Sequence, residues 1–238
     1  MTQTIYVARG FQGPPDTGHG GYLSGLMSQL LEGAVEVTIR RPPPLEQALR
    51  VDRRDEGVAV FDGEMLVAEA TETDLDTDIP PMVTFEEAEQ ASKSYLGFEA
   101  SIFPGCLVCG PEPREDEGLR LFTGPVPNRD LVAAPWIPRA WVADENGQVR
   151  PEFIWAALDC PGAWALHGRT VGPALILGRL AAKCIRPVAA GRPHVVMAWP
   201  MRRDGRKGFA GSAVFSAAGE LCAVARATWI EIESPAPP

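Results

Sequence analysis

The chain contains no apolar run approaching the ~20 residues that a membrane-spanning helix requires. Its opening residues, Met-Thr-Gln-Thr-Ile-Tyr, lack the positive charge of a secretory signal. Basic residues are in short supply: 22 Lys and Arg stand against 31 Asp and Glu, for a net charge of -9 and a pI near 4.9. Recognition of a phosphate backbone needs clustered cations, so this balance argues against nucleic acid as a partner. Long uninterrupted segments are scarce as well. The 24 Gly and 23 Pro disfavour a helix bundle. Gly-rich phosphate loops of the Walker type and dinucleotide fingerprints are absent. The five Cys are an odd number, and with no secretory signal they point to reduced thiols and a cytoplasmic location.

What is present is unevenly distributed. All six Trp and all five Cys lie after residue 100. Residues 1–100 hold 18 acids and 7 bases, whereas residues 101–238 hold 13 acids and 15 bases. The 238 residues suffice for burial of roughly 70 to 75% of the unfolded surface, so the core needs no metal or disulfide staple.

Along the chain, a short strand is expected over Thr4–Ala8, then a helix from about 20 to 32, carried by Leu23, Leu26, Leu30 and Leu31 and ended by Gly33. Strands follow at Val35–Ile39, Leu45–Val51, Gly57–Phe61 and Met65–Thr71, with Asp62-Gly63 as a hairpin turn. Residues 72–82 are acidic, contain Pro80-Pro81 and are expected to link rather than pack. Thr84 and Glu87 have capping-box spacing at the start of a possible helix over 84–95. Beyond residue 103 the order repeats: a strand at Gly118–Phe122, a helix at Pro151–Leu166, and strands near 174–186, 192–201, 207–217 and 220–231. Gly63-Glu-Met-Leu-Val-Ala is similar to Gly219-Glu-Leu-Cys-Ala-Val, and Arg41-Pro42 matches Arg186-Pro187. These collinear matches point to an internal duplication.

A strand, a helix and four antiparallel strands is the element order of the hotdog fold. His19-Gly20-Gly21 before an apolar helix resembles the His-Gly-Gly turn of acyl-CoA thioesterases of the phenylacetate-pathway type. Cys106-Leu-Val-Cys109-Gly110-Pro111 followed by Gly118-Leu-Arg-Leu121 is similar to the opening strand of that family, and Arg150-Pro-Glu-Phe-Ile-Trp-Ala-Ala-Leu-Asp159 to its helix. The resemblance implies an α+β double hotdog, with an N-terminal half at 1–82, a linker at 83–102 and a C-terminal half at 103–238. It further implies an acyl-CoA-type substrate and a site made by the glycine turn of one half and the acid of the other. Hotdog sheets often extend edge to edge, so a homodimer is compatible with it.

The chemistry can be argued from the residues themselves. Thioester hydrolysis needs donors at the carbonyl oxygen, and free N–H groups at a helix N-terminus supply them. It also needs a base or nucleophile, for which one carboxylate suffices. Asp159 is the only ionisable group of the run Phe153–Trp164, where burying a charge is costly without partners or a purpose. On the division of the site that the resemblance implies, the working site pairs Gly20-Gly21, shaped by His19, with Asp159. A second, degenerate site would pair the Pro151-Glu152-Phe153 turn with Ser28, nine residues after His19; Pro151 has no N–H to donate and Ser28 is a weak base. Arg202, Arg203, Arg206 and Lys207 form a basic cluster able to meet coenzyme A phosphates, and Trp155 could line an acyl pocket.

Plainer uses remain open for each. Asp159 stands two residues before the helix-breaking pair Pro161-Gly162, the glycines could make an empty turn, the basic cluster could be a solvated hairpin tip, and the Trp residues could fill the core. Cys160 has no His at a recognisable spacing and reads as a buried thiol. Cys106-x-x-Cys109 is half of a zinc site at best, since its other two ligands are not apparent in the sequence. No metal or cofactor is assigned. A hydratase is disfavoured because no Asp-x-Asn-x-x-His pattern occurs. A non-catalytic binder of acyl-CoA or another hydrophobic ligand is the alternative to a thioesterase.

Overall fold

The computed structural model describes residues 3–233; the first two residues of the stretch read for a signal lie outside it. The first half contributes β1 (Thr4–Tyr6), α1 (Gly20–Ser28), β2 (Val35–Ile39), β3 (Ala48–Arg54), β4 (Gly57–Asp62) and β5 (Met65–Glu72). Then come α2 (Phe85–Ser92), β6 (Gly124–Pro125), β7 (Val132–Trp136), α3 (Pro151–His167), β8 (Ala174–Cys184), β9 (His194–Asp204), β10 (Lys207–Ser216) and β11 (Leu221–Ile232). All eleven strands form one antiparallel sheet in the order β1-β3-β4-β5-β2-β8-β11-β10-β9-β7-β6. The junction between first-half and second-half strands is the β2–β8 pair, with Val35 opposite Ala182 and Thr38 opposite Arg179. Arg179 reinforces it, its Nε donating to Thr38 Oγ1 at 3.0 Å and its guanidinium lying 3.3 Å from Glu36.

Strand patterning follows what covers each face. β2 and β3 alternate buried with more exposed residues, because one face meets the core and the other meets water. β9 is buried continuously from His194 to Trp199. The reason is α2, whose Ala88 and Ala91 join Val83, Val195, Met197 and Phe215 in a second apolar cluster. The segment expected only to link therefore also packs, with Ile79, Met82 and Phe85 set against that cluster. Its capping box forms as the spacing predicts: Glu87 N–H donates to Thr84 Oγ1, and the Glu87 carboxylate accepts from Thr84 N–H.

Three expectations need correction. The first helix ends at Ser28 rather than near 32, and Leu30 and Leu31 continue in tight turns onto the carbonyls of Met27 and Ser28. Gly118–Phe122 is not a strand of the sheet; Leu119 and Leu121 donate instead to the carbonyls of Leu107 and Val108, within the loops. Finally, α3 does not break at Pro161-Gly162. Pro161 lacks an N–H, yet Ser212 Oγ donates to the nearby Leu158 carbonyl at 2.6 Å, and the helix continues to His167.

Helices α1 and α3 pack face to face with unusually little between them. A Cβ on Gly21 would stand 2.6 Å from Asp159 Cβ and 2.8 Å from the Trp155 carbonyl, and one on Gly25 would stand 2.4 Å from Glu152 Cα. Glycine at these two positions, one turn apart, is what lets the helix backbones approach. Trp155 is buried in this seam, its Cβ against Gly25, and is not among the residues lining the cavity described below. This corrects the expectation that it lines an acyl pocket; Trp164 does line that cavity.

Candidate active site

The turn before α1 is fixed from three sides. Gly18 N–H donates to the Pro43 carbonyl (2.7 Å), His19 N–H to the Phe11 carbonyl (2.8 Å) and Gly13 N–H to the Thr17 carbonyl (3.0 Å). His19 is the N-cap, and its Nδ1 accepts from Tyr22 N–H at 3.3 Å. Accepting at Nδ1 leaves Nε2 as the protonated nitrogen of the neutral ring, and Nε2 lies 3.2 Å from Cys160 Sγ.

The Gly21 N–H donates to Asp159 Oδ2 at 2.7 Å, so the turn and the acid singled out in the sequence meet, across 138 residues. Asp159 is 2% exposed, and desolvation holds its carboxyl well above the usual carboxylate range; the Gly21 bond acts in the opposite sense, and Cys106 adds to the rise. His19 Nδ1 is 3.5 Å from the same Oδ2. The other oxygen, Asp159 Oδ1, is buried without a hydrogen-bond partner. Among the described residues the Gly20 N–H also has none.

These groups border an apolar cavity of about 70 Å3, room for several water molecules. His19, Gly20, Asp159, Cys160, Trp164 and Trp229 are part of its lining. Trp229 Nε1 is a second buried polar atom without a partner. Its ring approaches α3 because residue 162 is glycine: a Cβ there would lie 2.9 Å from Nε1. Three residues of the cavity lining, Gly20, Asp159 and Trp229, thus hold polar atoms without partners, an arrangement buried polar atoms rarely adopt without a purpose.

Outside the cavity runs a groove of about 320 Å3, lined by Gly18, Ile39, Arg40, Arg41, Pro42 and Gly178 among others. Pro14, Gly20, Ile176 and Leu177 border both spaces, so Gly20 stands between them. Arg40 is paired with Glu69, while Arg41 is exposed and has no ion-pair partner among the described residues.

The remaining candidates lie elsewhere. Arg202, Arg203, Arg206 and Lys207 belong to the β9–β10 hairpin, which turns at Gly205, and none of them lines the cavity. Arg202 stacks on Phe209 at 3.6 Å, while Arg203 donates to the Leu166 carbonyl at 2.8 Å and faces Glu231. Arg203 therefore caps the C-terminus of α3, about two helical turns from Asp159. Ser28 Oγ folds back to the Gly25 carbonyl (2.9 Å). At the start of α3 it is Gln29 that reaches Glu152 (3.2 Å), and Arg150 lies 3.5 Å from the same carboxylate. That end of the helix pair is filled by the rings of Phe11, Tyr22, Trp141 and Phe153. The expected Ser28 partnership with the Pro151 turn is not formed.

Two features escaped the sequence. Arg40 and Arg41 beside the glycine turn were visible only as part of a basic-proline stretch. His19 and Cys160 are 141 residues apart, and no spacing rule joins them.

No protein-family model matches the chain, and no curated protein matches it in sequence. Solved structures do. The tesB protein of Mycobacterium avium subsp. paratuberculosis aligns over 96% of this chain and 92% of its own, with a TM-score of 0.60 and 14% identity. A structure from Novosphingobium aromaticivorans described as a "putative thioesterase" aligns over 96% of this chain and 94% of its own, with a TM-score of 0.60 and 11% identity. At these identities the likeness is one of architecture, and the chain shares the hotdog-like fold of these two proteins along nearly its whole length.

Proposed function

We propose that this chain is a double hotdog that hydrolyses acyl-CoA-type thioesters, with residues 1–82 and 103–238 as its two copies and a single working site between α1 and α3. The observation that carries this reading is the meeting of the Gly20-Gly21 turn with Asp159 beside a cavity whose lining residues hold unpaired polar atoms.

In this mechanism the thioester carbonyl enters between Gly20 and Asp159. Gly21 N–H is committed to Asp159, so it orients the acid; the free Gly20 N–H, at the positive end of α1, polarises the carbonyl oxygen. Asp159 in its ionised form takes a proton from water as the hydroxide adds to the carbonyl. Collapse of the tetrahedral intermediate breaks the carbon–sulfur bond, and the proton passes to the departing thiolate. Burial serves this role, because a carboxyl with a raised pKa is the stronger base once ionised. The apolar wall of Leu175, Ile176 and Trp229 receives the acyl group. The groove past Gly20 gives the pantetheine arm a path that ends at Arg40 and Arg41, and these take the phosphate-binding role that the sequence suggested for the β9–β10 hairpin.

The second helix start is degenerate on this reading. Pro151 offers no N–H, and Glu152 occupies the approach with Gln29 and Arg150 as partners. The test is release of free thiol from a panel of acyl-CoAs by the full chain. Turnover that disappears in Asp159→Asn is the expected result. Thermal stabilisation by acyl-CoAs without any thiol release would favour the binding-module alternative and overturn the catalytic reading.

A further inference from the structure

The loop at 103–110 docks directly on the turn that precedes α1. Leu107 N–H donates to the Gln12 carbonyl (2.9 Å) and Gln12 Nε2 to the Gly105 carbonyl (3.1 Å). This docking carries the Cys106-x-x-Cys109-Gly110 turn, closed by Gly110 N–H on the Cys106 carbonyl at 3.0 Å, to the side of α3 that holds Cys160. Cys106 Sγ lies 3.6 Å from Cys160 Sγ, and Cys160 Sγ lies 3.2 Å from His19 Nε2. The three ligand atoms are all within 4.8 Å of one another, and all three residues are buried. Cys109 is buried beside them and borders the same cavity.

We propose that Cys106, Cys160 and His19 form a three-ligand binding site for a thiophilic divalent cation of the zinc class, with water as its fourth ligand. Four tetrahedral ligands at zinc bond lengths have sulfur–sulfur edges of about 3.8 Å and sulfur–nitrogen edges of about 3.6 Å. The 3.6 Å and 3.2 Å separations already lie near these edges, although the residues come from three distant segments. Two thiols and an imidazole are a ligand set that zinc uses with one position left to water. With Nε2 on a metal, the imidazole proton moves to Nδ1, and Asp159 Oδ2 stands 3.5 Å away to accept it. The change gives up the 3.3 Å bond from Tyr22 N–H.

The inference does not depend on thioester hydrolysis, and its test needs no turnover. Cobalt(II) added to the reduced full chain should bind at one ion per chain and give a thiolate-to-cobalt charge-transfer band with the intense visible bands of tetrahedral coordination. Zinc should bleach both. Cys106→Ser and Cys160→Ser should each weaken or abolish the charge-transfer band, whereas Cys184→Ser, at an exposed thiol, should leave it unchanged. Should a variant fail to fold, alkylation of the wild-type protein mapped by mass spectrometry decides the point: zinc should protect Cys106 and Cys160 but not Cys184. A reduced wild-type chain that shows no charge-transfer band, or bands that survive in Cys160→Ser, would overturn the site. So would equal alkylation of Cys106 and Cys160 with and without zinc.

Discussion

The Gly21 N–H and the Asp159 carboxylate meet at 2.7 Å across two helices that come from opposite halves of the chain. The contact is possible only because residue 21 has no side chain, since a Cβ there would fall 2.6 Å from that of Asp159. The acid is thereby held against the positive end of α1 while one of its oxygens stays unpaired.

Replacing Asp159 by Asn should lower kcat by about 10²- to 10⁴-fold, the usual range for loss of a positioned base. Ser28→Ala should leave turnover intact, because Ser28 Oγ bonds only within its own helix. The reverse pattern in a thiol-release assay would sink the assignment. In the wild type, the acid limb of the kcat/KM profile should lie above the ordinary carboxylate value, since desolvation raises Asp159 and activity requires its ionised form.

The same substitution should stabilise the fold. A raised folded-state pKa means that the contribution of Asp159 to stability is fully present below the ordinary carboxylate value and is lost as pH rises through the raised one. Asn has no such dependence. Asp159→Asn should therefore melt above the wild type at neutral and alkaline pH, with the gap closing towards pH ~4. Melting curves across pH that run parallel would refute this.

Gly25→Ala probes the helix seam apart from the chemistry. Its methyl would meet the Glu152 backbone at 2.4 Å, which no side-chain rotation relieves. Overpacking of this kind costs about 1 to 3 kcal/mol, read out as a lowered midpoint in urea. An unchanged midpoint would show that α1 and α3 can move apart freely.

Arg41→Ala should raise KM for acyl-CoAs while sparing kcat, since the guanidinium stands at the far end of the groove and holds no partner of its own among the described residues. Arg202→Ala should do neither, because Arg202 is stacked on Phe209 on another hairpin. Equal KM values for wild type and Arg41→Ala would remove Arg41 from substrate binding.

His167 gives an acid-side signature. Burial, with Arg203 nearby, lowers its pKa to about 4, and Gly172 N–H donates to its Nδ1. A depressed histidine supports the fold above its ordinary value and loses that support as pH falls towards the folded one. Between pH ~6.5 and about 4 the wild type should lose stability faster than His167→Gln. Indistinguishable slopes in that window would exclude His167 as the cause.

The local signals in the sequence carried most of the architecture. Strands β2 to β5 and β8 to β11 show β-branched or alternating patterns, and the Thr84 and Glu87 spacing marks the start of α2. The short β7, Val132-Ala-Ala-Pro-Trp136, gave no such signal, as its small residues and Pro135 carry neither period. Packing of α2 was hidden by an acidic surface around only two buried alanines. The Gly21–Asp159 meeting was legible through resemblance, whereas the approach of Cys106 to Cys160 and His19 depends on how a loop docks, which no periodicity records.

The seam between α1 and α3 joins unequal partners. Helix α1 has no side chain at Gly21 and Gly25, and α3 sets Asp159 and Trp155 against those two positions. Bulk added to either helix must therefore be matched by bulk removed from the other, so substitutions along this seam are coupled in pairs.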